Sequence, residues 1–73
     1  MTADEMFKEL GYEKDDTPLL LGNEKIPHIT YFNDGLSRVY FNLKKKYFAV
    51  DTIYKNYKEL LKAINKKVEE LGW

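Results

Sequence analysis

Between Ile26 and Leu43 apolar and polar residues alternate with a period of two, interrupted once by Asn33-Asp34-Gly35. Ile29 and Tyr31 fall on one side, and His28, Thr30 and Phe32 on the other. After the interruption Val39, Phe41 and Leu43 alternate with Arg38, Tyr40 and Asn42. Alternation of this kind predicts half-buried strands, and Asn-Asp-Gly predicts a three-residue hairpin loop with its glycine in the left-handed region. The polar turn Lys44-Lys45-Lys46 ends the second strand, and Tyr47 to Val50 predicts a third whose inward face the uniformly apolar run does not distinguish. Strands are expected at about 26–32, 37–43 and 47–51, forming a three-stranded antiparallel meander.

Beyond Asp51 and Thr52, either of which suits a helix cap, the period lengthens. Tyr54, Tyr57, Leu61, Ile64, Val68 and Leu71 recur at steps of three and four, with Leu60 broadening the stripe, which predicts a helix over about 54–71. Near the start, Thr2 with Glu5 has the spacing of a capping box, and Ala3, Met6, Phe7 and Leu10 predict a short helix over 3–10. Both helices run into nearly the same ending, Glu9-Leu10-Gly11-Tyr12 and Glu70-Leu71-Gly72-Trp73. Glycine alone enters the left-handed region without a Cβ clash, so each ending predicts a helix stop, with Tyr12 and Trp73 folding back on their own helices. Residues 12–25, with a turn at Asp15-Asp16-Thr17-Pro18, are expected to form an irregular loop in which Leu19-Leu20-Leu21 makes an edge strand or plugs the core. The fold class that follows is α+β, one domain over residues 1–73 in the order α-β-β-β-α, with both helices packed on one face of the sheet.

Composition narrows the function. A chain of 73 residues buries only about 60% of the surface its unfolded form exposes, which leaves little room for a deep cleft. There is no cysteine, so neither disulfides nor thiolate metal sites supplement the core. The acidic start Met1-Thr2-Ala3-Asp4-Glu5 is unlike a secretory signal, and the longest aliphatic run is far too short to cross a bilayer. A cytoplasmic protein with no membrane contact is the expectation. The formal charge of zero hides an asymmetry, because residues 1–37 carry three lysines against eight acids while residues 38–67 carry nine cations against two acids. The two halves make differently charged surfaces unless folding pairs them.

Few residues offer chemistry. A hydrolytic triad would need Ser37, His28 and an acid such as Asp34, on a small meander without a pocket or oxyanion donors. Glu13, Asp15 and Asp16 lack the alternating oxygen ligands of a calcium loop, and the single glycines make no phosphate loop, so no metal or cofactor is expected and the chain reads as a non-enzyme. Lys55, Lys58, Lys62 and Lys66 form a stripe on the outer face of the second helix, to which Lys44, Lys45 and Lys46 add a cationic turn. These seven are candidate polyanion contacts, although the solvated face of any amphipathic helix has to be charged. His28, Arg38, Tyr40 and Tyr47 share the predicted open face of the sheet and make a candidate protein-interaction face.

The order helix, three strands, helix resembles the double-stranded RNA-binding domain, and Pro27-His28-Ile29-Thr30-Tyr31-Phe32 echoes one of its segments. Asp51-Thr52-Ile53-Tyr54-Lys55 stands where that family has its glycine-serine-lysine-lysine run, so its RNA-contacting lysines do not transfer. The stretches Met6-Phe7-Lys8-Glu9-Leu10-Gly11-Tyr12 and Glu59-Leu60-Leu61-Lys62-Ala63-Ile64-Asn65-Lys66-Lys67-Val68-Glu69-Glu70-Leu71-Gly72-Trp73 resemble small uncharacterised proteins of phages and prophages of Gram-positive bacteria. The resemblance implies an accessory protein in the cytoplasm of a bacterial host, with a host or phage protein as partner and nucleic acid as the alternative.

Overall fold

The computed structural model describes residues 1–54 and 57–73. Helix α1 spans Ala3–Glu9 and opens with the predicted capping box, the Thr2 hydroxyl accepting from the Glu5 N–H and the Glu5 carboxylate accepting from the Thr2 N–H. It closes at Gly11, φ +88°, where the Gly11 N–H donates to the Lys8 carbonyl and the Tyr12 N–H to that of Phe7. The Tyr12 ring then meets Phe7 edge-on at 5.9 Å, so this ending folds back on its helix as its sequence predicts.

The strands correct the sequence-based picture. Six are present, in two sheets: β1 Glu13–Asp15, β2 Leu19–Leu21, β3 Glu24–Ile26, β4 His28–Asn33, β5 Ser37–Asn42 and β6 Tyr47–Thr52. The expected meander is β4, β5 and β6, but β1 adds a fourth antiparallel strand against β4, giving the order β1-β4-β5-β6. Residues 12–25 are therefore not an irregular loop. Lys14 pairs with Tyr31, which brings an all-charged segment into the sheet at its edge, where backbone pairing needs no apolar side chains. β2 and β3 form a separate hairpin joined by Gly22-Asn23, and Pro27 separates β3 from β4, so the first expected strand, 26–32, begins two residues late.

Helix α2 spans Lys58–Leu71, shorter than the expected 54–71 at its start, where Tyr54 and Tyr57 lie exposed. It ends at Gly72, φ +75°, with the Trp73 N–H donating to the Val68 carbonyl. The backbone folds back as at α1, but the Trp73 ring continues to the sheet and lies 6.2 Å from Phe41. Both helices pack on one face. The core joins Ala3 and Phe7 of α1, Leu60, Ala63 and Ile64 of α2, and Ile29, Tyr31, Val39 and Phe41 of the sheet. Leu60 takes the inward position that the periodicity shared with Leu61, which is left exposed, because α1 draws the α2 face toward itself through Ala63 and Lys67.

Aromatic rings run through this core in sequence. Phe7 stacks on Tyr31 at 3.8 Å, Tyr31 meets Phe41 at right angles at 5.9 Å, and Phe41 touches Phe48 and Trp73. A polar cluster lies beside them. The Tyr31 hydroxyl donates to Asp4 at 2.5 Å, Lys14 Nζ lies 2.9 Å and Lys67 Nζ 3.7 Å from the same carboxylate, and the Ala3 N–H donates to Glu70. Partial burial raises the Asp4 pKa, but the Tyr31 and Lys14 hydrogen bonds and the nearby Lys67 outweigh it and hold the group below the usual aspartate value. Burial and the bond to Asp4 push the Tyr31 hydroxyl upward.

A pH dependence follows from the sign of the Asp4 shift. The folded chain binds the Asp4 proton less readily than the unfolded chain, so the stabilisation is present above the ordinary value of 3.8 and is lost as pH falls through the lower folded value. Asp4→Asn is expected to lower the urea midpoint at neutral pH and to flatten its fall on acidification. Urea titrations of both proteins at a series of acidic pH values measure this; parallel curves would dismiss the role of Asp4.

Candidate functional site

Side chains alternate across the sheet, so one face holds the helices and the other remains open. The β4–β5 and β5–β6 registers set His28 against Asn42, Thr30 against Tyr40, Phe32 against Arg38, then Asn42 against Tyr47 and Arg38 against Asp51. All of these lie on the open face. His28, Arg38, Tyr40 and Tyr47, the candidate interaction residues, therefore share one surface as their alternation predicts.

Within that surface they differ. His28 is buried, at 8% exposure, with its ring 5.9 Å from that of Tyr40 and its Nδ1 3.4 Å from the Thr30 hydroxyl. It also lines a cleft of about 310 Å³ with Lys14, Pro18 and Lys25 from the segment leading through the hairpin. His28 thus supports the surface, and Arg38 and Tyr47 are the side chains that present themselves to solvent. Asp51, directly across from Arg38, gives this face both signs of charge.

Beside it stands the β2–β3 hairpin, with Leu20 at 69% and Leu21 at 62% exposure. The Leu19–Leu21 run forms a short strand, as its sequence allows, but in a separate two-stranded sheet and without plugging the core; only Ile26 of this hairpin is buried. The signal that marks it in the sequence is Gly22-Asn23, a hairpin dipeptide between two short runs. A Glu24–Lys44 ion pair ties the hairpin to the β5–β6 turn.

The lysines differ in their pairing. Asn42 builds the cationic turn by accepting from the Lys44 and Lys45 N–H groups through its side-chain oxygen, while Lys46 takes a left-handed φ of +59°. On α2, Lys62 pairs with Glu59 at 3.3 Å and Lys66 with Glu69 at 3.7 Å. Lys55 lies outside the described residues. Lys45, Lys46 and Lys58 have no acidic partner among the described residues. The ion pairs of Lys44 with Glu24 and of Lys67 with Asp4 join the basic half of the chain to the acidic half, so folding offsets part of the asymmetry read along the sequence.

Ser37 and His28 are not brought together. Ser37 pairs with Asn33 at one end of the β4–β5 ladder and His28 with Asn42 at the other, about 17 Å apart at ~3.4 Å per residue, and on opposite faces. The Ser37 hydroxyl is fully buried and accepts a 2.6 Å hydrogen bond from the Tyr12 hydroxyl, so it faces no substrate. Among the described residues no three histidine, aspartate or glutamate side chains cluster in a way that could hold a metal ion. Asp15 caps its own turn by accepting from the Thr17 N–H.

A second cleft, about 340 Å³, lies where α1 ends, the β4–β5 turn begins and α2 starts, lined by Tyr12, Asn33, Tyr57 and Leu60. The Asn33 side-chain oxygen is buried there with no hydrogen-bond partner among the described residues. No sequence pattern marks this cleft, because its walls come from three separate segments.

The fold and its surfaces define a small two-layer α+β domain with an open sheet face and an apolar hairpin at its side. In comparisons with protein-family models, curated proteins and solved structures, the chain finds no match in any of the three.

Proposed function

We propose that this chain is a non-enzymatic protein-interaction module, a small accessory protein of phage or prophage type acting in the cytoplasm of a bacterial host. The observation that carries this is the sheet face left uncovered by both helices, on which Phe32, Tyr40 and Tyr47 are interleaved with Arg38. Aromatic and arginine side chains supply the anchors of protein interfaces, since they bring large contact area with few rotors to order. The β2–β3 hairpin adds exposed leucines of its own at Leu20 and Leu21. A host protein, a defence factor among them, is the kind of partner such a surface serves. In addition, no helix among the described residues is long and apolar enough to cross a membrane.

The test is a pull-down from host lysate, with and without nuclease, using the wild-type chain and an Arg38→Glu, Tyr47→Ser double variant. A protein retained after nuclease treatment and lost with the double variant is the expected result. Capture that nuclease abolishes would favour the alternative, a nucleic-acid-binding accessory protein using the turn at Lys44 to Lys46 and the α2 lysines. In that case binding to mixed DNA or RNA should weaken steeply with salt and fall further in Lys44→Glu, Lys46→Glu. Lys45, Lys46 and Lys58, which have no acidic partner among the described residues, are the observation that favours it.

A further inference from the structure

The two edges of the four-stranded sheet are built differently. β1 is three residues long and entirely charged, and short, charged edges are a common natural defence against further strand pairing. β6 is six residues long, pairs with β5 in an unbroken register, and contains neither proline nor lysine. Beyond its last residue the Ile53 N–H donates to the Leu36 carbonyl at 3.3 Å. Alternation then directs the backbone groups of Tyr47, Ala49 and Asp51 toward β5, and those of Phe48, Val50 and Thr52 outward. No strand pairs with that outer side among the described residues.

The side chains there are open as well, with Tyr47 at 50% and Phe48 at 42% exposure. Because α2 turns Lys67 and Glu70 toward α1, Leu61 falls on the flank away from α1 and is left exposed.

We propose that β6 is the interface of a symmetric homodimer, in which the β6 strands of two copies pair antiparallel about a two-fold axis at Ala49. Hydrogen-bonded pairs can form only between residues whose backbone groups point outward, which restricts the register to a few choices. With the axis at Ala49, Phe48 of each copy faces Val50 of the other, and Tyr47 faces Asp51. Moving the axis to Val50 sets Phe48 against Thr52 and loses that apolar pair.

Charge selects a second copy as the occupant. β6 leaves the cationic turn Lys44-Lys45-Lys46 and ends near Asp51, so antiparallel pairing brings each lysine turn alongside the Asp51 end of the other copy. Parallel pairing would place lysines beside lysines. The dimer merges two four-stranded sheets into one and stands whether or not the open face binds another protein.

The experiment uses the purified chain alone. Sedimentation velocity across the micromolar range is expected to show the mass doubling from 8.7 kDa as concentration rises. Ala49 is exposed, so Ala49→Arg keeps a folded circular dichroism spectrum while opposing two cations at the axis, and it should stay monomeric at every concentration. The chain lacks cysteine, which makes register testable with single thiols. Residues directly opposite in antiparallel strands have Cβ atoms about 4.5–5.5 Å apart, so Ala49→Cys should cross-link under mild oxidation and Asp51→Cys, facing Tyr47, should not. A wild-type chain that remains monomeric throughout, or equal cross-linking of the two cysteine variants, overturns the proposal. So does a monomer that binds a foreign protein strand at an edge blocked by Ala49→Arg, since the edge would then serve a different partner.

Discussion

Phe41→Ala is expected to remove a major share of the protein's stability and to lower its urea midpoint sharply. Phe41 is fully buried at the junction of the aromatic chain, where its ring meets Tyr31 from β4, Phe48 from β6 and Trp73 beyond α2. Truncating a buried phenylalanine costs about 3–5 kcal/mol, through lost transfer energy and the cavity left behind. A 73-residue domain, at about 0.05–0.15 kcal/mol per residue, has about 4–11 kcal/mol in total. The substitution thus removes a major share of the stability at one site, and three elements lose a common neighbour. Phe48→Ala is the contrast, since its ring is already 42% exposed and should cost about 1 kcal/mol. Urea denaturation of the two variants measures the difference; equal losses would show that the aromatic chain does not organise the core.

Tyr12→Phe is expected to cost about 1–3 kcal/mol although it removes a single oxygen, because it leaves the buried Ser37 hydroxyl without its donor. Tyr12 is itself buried, and its hydroxyl reaches from the end of α1 to the first residue of β5. Its ring keeps the edge contact with Phe7 in the variant, so the loss reports the polar group alone. Ser37→Ala should behave similarly. Removing both groups should cost less than the two single losses together, since neither partner is then left unsatisfied. A double-mutant cycle by chemical denaturation supplies the four stabilities, and strict additivity would mean that the two hydroxyls are energetically independent.

Much of this architecture is legible in the sequence where local chemistry and tertiary structure agree. Thr2 with Glu5 marks the start of α1, Gly11 and Gly72 mark the two helix ends, and the alternation through Ile29, Tyr31, Val39 and Phe41 identifies the face of the meander that the helices cover. The misses have physical causes. Glu13-Lys14-Asp15 joins the sheet through backbone pairing, with Lys14 also reaching Asp4, and it carries no apolar residue for a hydrophobic pattern to register. Tyr54 and Tyr57 happen to continue the helical period beyond the start of α2, and Tyr57 offers no side-chain cap. Lys67 is buried on α2 because Asp4 and the face of the Tyr31 ring receive its ammonium group. The candidate surface was legible as a set of residues sharing a face, whereas the burial of His28 depends on neighbours supplied by a separate hairpin.

The contact between the Ala3 N–H and the Glu70 carboxylate has a consequence for the order of folding. The β4–β5 and β5–β6 connections close short loops, whereas the α1–α2 contact spans 67 residues of sequence. Loop-closure entropy grows with that span, so the meander can assemble from neighbouring residues while the helix layer has to wait for distant ones. Any event that detains either helix therefore leaves Tyr31, Val39 and Phe41 exposed on a formed sheet, and the vulnerable interval in the life of this chain is the one before its two helices meet.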